Sequence, residues 1–230
     1  GLQKMISSQG IVPRGLVLLA GSGPLLVGTG AALARAGVRL TGWYEAVPFV
    51  KWVSLGSGML SWPRLIPESF SYLQELLLKG VRPQFGWGLK RLSGDDRVRE
   101  ATLVRLDGKG EPMPGSEKSL PVDVVGIGLG LQPSVRLGRL IGCLTEYDWE
   151  RRCFSPKTDY WGQSSQPGVY LAGDGAGVGG ADWSEVQGRL AGLHAAWSLK
   201  RTGCKQLDEL SHKYVRAKRK IEAYLLQYHN

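Results

Sequence analysis

Two glycine-rich turns carry most of the chemistry that this sequence offers. The first is Gly21-Ser22-Gly23-Pro24-Leu25-Leu26, set between an apolar run at Leu16–Ala20 and a helical pattern over Leu25–Ala36. A strand that enters a tight Gly-x-Gly turn and leaves it as a helix presents backbone N–H groups to a bound pyrophosphate. Gly21 permits the turn, and Gly23 lets the phosphates come close. Glu45 ends the next apolar run, Val38–Tyr44, where a carboxylate meets an adenosine ribose 2′-hydroxyl. It favours NAD-type over NADP-type nucleotides, because a 2′-phosphate would be repelled. The third small position of the motif holds Leu26 instead of Gly or Ala. The expectation is an opened or shifted corner and weak binding, with Gly28 compensating in part.

The second turn is Gly173-Asp174-Gly175. It follows the apolar run Val169–Ala172 and precedes a helical pattern that starts at Gly180-Ala181. A carboxylate between two glycines, at a strand end and before a helix, suits a polyol-phosphate ligand. Asp174 accepts from ribityl hydroxyls, Gly173 allows close backbone approach, and the helix N-terminus favours negative charge. An ordinary Gly-Asp-Gly turn has the same tripeptide, so the context has to decide.

Other reactive side chains are few. His194 lies in the helical segment Gly192–Trp197 and reads as packed or solvated, while His212 and His229 lie in the polar C-terminal region. No catalytic residue is assigned. Cys143, Cys153 and Cys204 are far apart and odd in number, with no C-x-x-C spacing. A disulfide framework, a metal site and a dithiol redox pair are unsupported, and a reducing, cytoplasmic setting fits best.

The elements that hold the turns follow from periodicity. Leu2–Gln9 is a short helix ended by Gly10, and Gly37 closes the helix at Leu25–Ala36. Strand, turn, helix and strand over Leu16–Tyr44 make one β-α-β unit of about thirty residues. Further strands are expected at Val81–Phe85, Leu89–Leu92, Val98–Leu106, Val122–Ile127 and Val169–Ala172. Helices are expected at Ser69–Leu78, Val135–Ile141, Asp182–Lys200 and Gln206–Gln227. The fold class is α/β, a Rossmann-like three-layer fold with a parallel sheet.

Charge and hydropathy exclude other classes. The net charge is +9, but much of the excess sits in Arg136, Arg139, Arg151, Arg152 and the run from Lys213 to Lys220. No nucleic-acid-binding motif accompanies it, so a partner surface or a solvated face is expected instead of nucleic acid. Gly15–Ala34 carries no charge, but five glycines and Pro24 break it. It is neither a transmembrane span nor, behind Lys4 and Arg14, a secretory leader.

Three stretches, in order, resemble the FAD/NAD(P)-linked pyridine-nucleotide-disulfide oxidoreductase superfamily. They are Ile11-Val12-Pro13-Arg14-Gly15 leading to Gly21–Leu26; Val122-Asp123-Val124-Val125-Gly126-Ile127-Gly128-Leu129-Gly130-Leu131-Gln132-Pro133; and Ala172–Ala181 continuing to Gln187-Gly188-Arg189-Leu190-Ala191-Gly192. The chain is most similar to the α-type subunits of opine oxidases, hydrogen cyanide synthase and dye-linked proline dehydrogenases. That resemblance implies an NAD-type dinucleotide-binding domain over residues 1–118 and the C-terminal half of an FAD-binding domain over 119–230. It implies that Asp174 holds the flavin ribityl chain, that the helix after Gly180 points at the flavin pyrimidine edge, and that the Gly126–Gly130 turn passes near the cofactor. It further implies an FAD-dependent oxidoreductase subunit that relays electrons from amino-acid or opine-like substrates. Substrate oxidation would belong to a partner β-subunit, or to the rest of the same flavoprotein. The family's own first strand–G-x-G-x-x-G–helix and its cysteine-rich segment are not in these residues, so a partial chain with weak FAD retention is expected. The alternative is an assembly module without catalysis of its own, with contacts from Trp183, Trp197, Tyr214, Tyr224 and Tyr228.

Overall fold

A computed structural model describes residues 1–58, 65–149, 152–201, 211–212, 214–216 and 218. It divides into two compact units, Gly1–Gly130 and Leu131–Asn230. Most of the helix expected over Gln206–Gln227 falls outside the described residues, as do Tyr224 and Tyr228; residues 211–212, 214–216 and 218 are helical.

The first unit is built on α1 (Leu2–Gln9), β1 (Leu16–Ser22), α2 (Pro24–Arg35), β2 (Arg39–Glu45), α3 (Phe49–Gly58), α4 (Leu65–Leu78), β3 (Pro83–Phe85), β4 (Trp87–Ser93), β5 (Glu100–Arg105), β6 (Lys118–Pro121) and β7 (Val124–Leu129). Gly37, at φ 74°, ends the α2 segment in the left-handed conformation that a residue with a Cβ resists. β1 and β2 are adjacent and parallel, and the sheet runs in the order β3-β2-β1-β7, parallel throughout. The β1–β2 ladder steps over Thr41, so that Val17 pairs with Leu40 and Leu18 with Gly42. The Thr41 hydroxyl donates to the Val17 carbonyl at 3.1 Å.

β1 is a continuous apolar run because both of its faces are covered. Val17 and Leu19 pack with Leu26 and Leu33 of α2. Leu18 and Ala20 face the other way, against Ala101, Leu103 and Val122. These last belong to, or adjoin, an antiparallel sheet of order β4-β5-β6, which covers that face of the parallel sheet. Trp43 and Leu76, both fully buried, join β2 to α4 on the helical side. Helices, parallel sheet and antiparallel sheet are the three layers of the expected α/β fold. Each fully buried Leu-sized side chain contributes about 1.5–3 kcal/mol to holding them together.

The unit boundary at Gly130 places β6 and β7 in the first unit, twelve residues beyond the division at 118 that the resemblance implies. The reason is β7, which pairs with β1 along Val17–Ser22 and completes the parallel sheet. Asp123 pins this strand. Its Oδ2 accepts from the Leu16 N–H at 2.8 Å, fixing where β1 starts.

The second unit contains α5 (Arg136–Leu140), the antiparallel hairpin β8 (Thr145–Asp148) and β9 (Cys153–Pro156), and α6 (Gly180–Ser198). The strand expected at Val169–Ala172 does not form. That segment makes one isolated antiparallel bridge, Tyr170 to Gln163. A parallel strand exists only beside another strand, and β8 and β9 of this unit pair with each other and not with this segment.

Candidate functional site

The first glycine turn is built where three strands end together. Gly21 pairs with Glu45 of β2 on one side and with Gly128 of β7 on the other. Its φ is 137°, and a Cβ there would strike the Gly128 carbonyl. Gly21 is therefore required twice, by conformation and by close approach. The Gly21 carbonyl accepts from the Ala46 N–H at 2.7 Å, tying the end of β2 to the turn. Gly23, at φ 106°, is the N-cap of α2, and no side chain caps that helix. A Cβ on Gly23 would meet nothing within 4 Å, so the face of the turn is open. Pro24 supplies the fixed φ of a first helical residue and no N–H donor.

Glu45 is fully buried. Its Oε1 accepts from the Val47 N–H at 3.3 Å, and among the described residues its Oε2 has no hydrogen-bond partner within bonding geometry. Burial pushes its carboxyl above the ordinary carboxylate range; the Val47 N–H, the Ser22 hydroxyl and the Gly23 N–H pull the other way. The structure thus brings Gly21, Ser22, Gly23 and Glu45 into one site. A buried carboxylate oxygen without a donor is costly, which favours the protonated form of Glu45.

The second turn is a short 3-10 segment, Gly173–Gly175. Gly173 has φ 64°, and a Cβ there would press on Ser184 of α6 at 3.2 Å. Its N–H donates to Gln187 Oε1 at 2.8 Å, docking the loop on α6. The Asp174 carbonyl accepts from the Ser134 N–H at 2.7 Å, while its exposed carboxylate makes no hydrogen bond among the described residues. Gly180, at φ 84°, opens α6; the helix has no side-chain cap, and a Cβ on Gly180 would meet nothing within 4 Å. Ala181 follows in the first helical turn. A free carboxylate and an uncapped helix start therefore lie a few residues apart, on a loop tied down by Gln187.

No protein-family model matches the chain. It is 34% identical over 193 residues to the HcnB component of hydrogen cyanide synthase from Pseudomonas aeruginosa, covering 84% of this chain and 41% of that protein. It is 33% identical over 200 residues to the first of the lettered opine oxidase subunits of Rhizobium meliloti, covering 86% of this chain and 36% of that one. The chain thus spans about two fifths of the length of the curated relatives it matches. Among solved structures, thioredoxin reductase from T. acidophilum superposes with TM-score 0.56 at 19% identity, over 81% of this chain and 53% of that one. L-Proline dehydrogenase from P. horikoshii superposes with TM-score 0.54 at 14% identity, over 95% of this chain and 32% of that one.

The chain is thus similar in sequence to one part of these two oxidoreductase components, and it shares the fold of the thioredoxin reductase and proline dehydrogenase structures.

Within that fold, Leu26 is the chain's clearest departure from the glycine pattern, and its effect differs from the one expected. Leu26 is buried with Val17, Leu19 and Leu33. Its side chain lies over Gly128, where a Cβ would sit 3.0 Å from Leu26 Cδ2 and Cγ. The corner is closed and well packed. The small residue that makes room is Gly128 on β7, whereas Gly28 faces Tyr72 at 3.7 Å.

Gln187, which holds the Gly-Asp-Gly loop, is a positioning residue that periodicity and motif spacing do not single out; its only signal is its place in the third matching stretch. Other candidates take packing roles. His194 Nδ1 hydrogen-bonds with the Tyr170 hydroxyl at 2.8 Å, and its ring stacks on Trp161 at 5.3 Å. Trp183 is buried beneath Gly179, and Tyr214 receives a hydrogen bond from Arg189. Trp197 is 39% exposed. Among the described residues no helix is long and apolar enough to cross a membrane, and no cluster of His, Cys, Asp or Glu could hold a metal ion.

Proposed function

We propose that this chain is the nucleotide-binding part of an FAD-dependent oxidoreductase subunit. It relays electrons released when a partner subunit oxidises an amino-acid or opine-like substrate. The relatives named above, components of a hydrogen cyanide synthase and of an opine oxidase, support this class of substrate and the need for a partner. The buried Cys143 thiol fits a reducing, cytoplasmic setting.

The observation that supports the nucleotide assignment is the meeting of Gly21, Ser22, Gly23 and Glu45 where β1, β2 and β7 end together, with the Gly23 face of the turn open. An NAD-type nucleotide places its pyrophosphate on the turn and a ribose hydroxyl on Glu45. A 2′-phosphate would meet a buried acid there. For the flavin, the free Asp174 carboxylate fits a ribityl hydroxyl, Gly173 and Gly180 keep the backbone approachable, and the α6 start at Ala181 favours negative charge. Bound FAD supplies the two-electron carrier that no side chain provides. Gln187 keeps the loop in place while Asp174 orients the ligand.

Calorimetric titration with NAD and NADP tests the nucleotide site. NAD binds, NADP binds more weakly, and Glu45→Gln narrows the difference. Equal binding of both would remove Glu45 from the site. No binding of either, together with no retention of added FAD on gel filtration, would leave the assembly-module reading. Visible absorbance of retained flavin, compared between the parent and Asp174→Ala, tests the second site separately.

A further inference from the structure

A surface recess lies beside the first half of β2, away from the nucleotide turn. β3 has three residues and pairs only with Trp43, Tyr44 and Glu45. Among the described residues, the first half of β2 therefore has no strand on that side. The gap is a surface cavity of about 340 Å³, bordered by Leu40–Gly42, Gly80–Arg82, Gln84, the Tyr44 hydroxyl side and Lys118. That volume lies in the range that takes a small organic ligand.

The lining has one sign of charge. Arg82 and Lys118 border the cavity, and among the described residues no carboxylate does. Lys118 Nζ donates to the Tyr44 hydroxyl at 3.2 Å, which holds the ammonium in place and leaves it two further protons to donate. Arg82 and Gln84 make no side-chain hydrogen bond or ion pair among the described residues. Gly42 shapes the floor. The Tyr44 ring folds back across it, and a Cβ on Gly42 would lie 2.6 Å from Tyr44 Cε2. A guanidinium, an ammonium and an amide thus border one recess without a counter-ion.

We propose that this recess binds a small anion bearing a phosphate or carboxylate group, with Arg82 and Lys118 as its charged contacts and Gln84 as a neutral donor. Glu45 lies at the far end of the strand, roughly 10 Å beyond Gly42 at the usual strand rise. The anion site is therefore distinct from the nucleotide turn, and both can be filled at once. The inference does not depend on the proposed redox function.

The test titrates the full chain with inorganic phosphate, glycerol 3-phosphate and citrate at constant ionic strength. Amide shifts are followed by NMR, with chloride as the control. Saturable shifts centred on Gly42, Gly80 and Gln84 are expected, unchanged when NAD is present at saturation. Arg82→Met and Lys118→Met should each weaken the response about tenfold or more, and Lys118→Arg should retain it. A response to the two phosphates and not to citrate assigns a phosphoryl ligand; the reverse assigns a carboxylate. The proposal is overturned if none of the three anions saturates, if chloride reproduces the shifts, if they centre elsewhere, or if the methionine variants bind like the parent. The wild-type shift map needs no variant, so a misfolded substitution leaves the test decisive.

Discussion

The Gly21-Ser22-Gly23 turn is locked between two parallel strands, whereas Gly173-Asp174-Gly175 stands on a 3-10 segment with no ladder beside it. At the first, glycine is demanded by another backbone: the Gly128 carbonyl leaves no room for a side chain. At the second, Gly173 is demanded by a left-handed bend and by Ser184, while Gly175 meets nothing. The acids differ in the same way. Glu45 is buried and short of a donor, and Asp174 is exposed. A ligand at the first turn meets a preorganised site. At the second it meets a loop held mainly by Gln187 and Ser134, and must supply part of the order itself.

The sharpest way to break this contrast is to add one methyl group to each turn. Gly21→Ala should cost more than about 3 kcal/mol in urea unfolding, because strain and collision coincide. Gly175→Ala should change stability by no more than about 0.5 kcal/mol. Similar losses at the two positions would mean that the turns are equally rigid.

Leu26→Ala comes next. It removes a core side chain rather than an obstacle, so it should destabilise by about 2–5 kcal/mol. NAD affinity, measured on the folded fraction, should stay within about threefold, well under one hydrogen bond to a charged group. Tighter binding in this variant would restore the view that Leu26 crowds the nucleotide.

Glu45→Gln sharpens the contrast between the acids. Burial raises the Glu45 carboxyl above its ordinary value. Between that ordinary value and the raised one, the folded chain holds more protons than the unfolded chain, so stability falls as pH rises. The glutamine variant should lack this fall, and near neutral pH it should exceed the parent by about 1 kcal/mol. Parallel pH–stability curves for the two proteins would refute a desolvated Glu45. The smallest stability effect belongs to Asp174→Ala, within about 0.5 kcal/mol, although it should weaken FAD retention about tenfold.

What could be read from the chain in advance was whatever depends on neighbours in sequence. The helix at Leu2–Gln9 matches its expected bounds, and β1, α2 and β2 fall within a residue or two of theirs, since apolar runs and glycine stops are local signals. Glu45 was identifiable by spacing alone. The compensation of Leu26 by Gly128 was not, because β7 joins β1 only after the whole antiparallel sheet has intervened. The hairpin Thr145–Asp148 and Cys153–Pro156 was missed because its residues alternate too weakly between apolar and polar. Val169–Ala172 shows the reverse failure. It has a strand's composition, yet composition cannot supply the neighbouring strand that the ladder needs.

The step over Thr41 gives β2 one residue of slack. Removing a single residue from the first half of the strand would draw that slack in, and the ladder from Gly42 onward would keep its partners. Glu45 would stay opposite Gly21, and Trp43 and Tyr44 would keep their faces. A second deletion would find nothing left to absorb it and would turn every later side chain of β2 to the wrong side of the sheet. The strand's tolerance to length change thus ends after one residue, and the position of the buried acid is insulated from the first such change and exposed to the next.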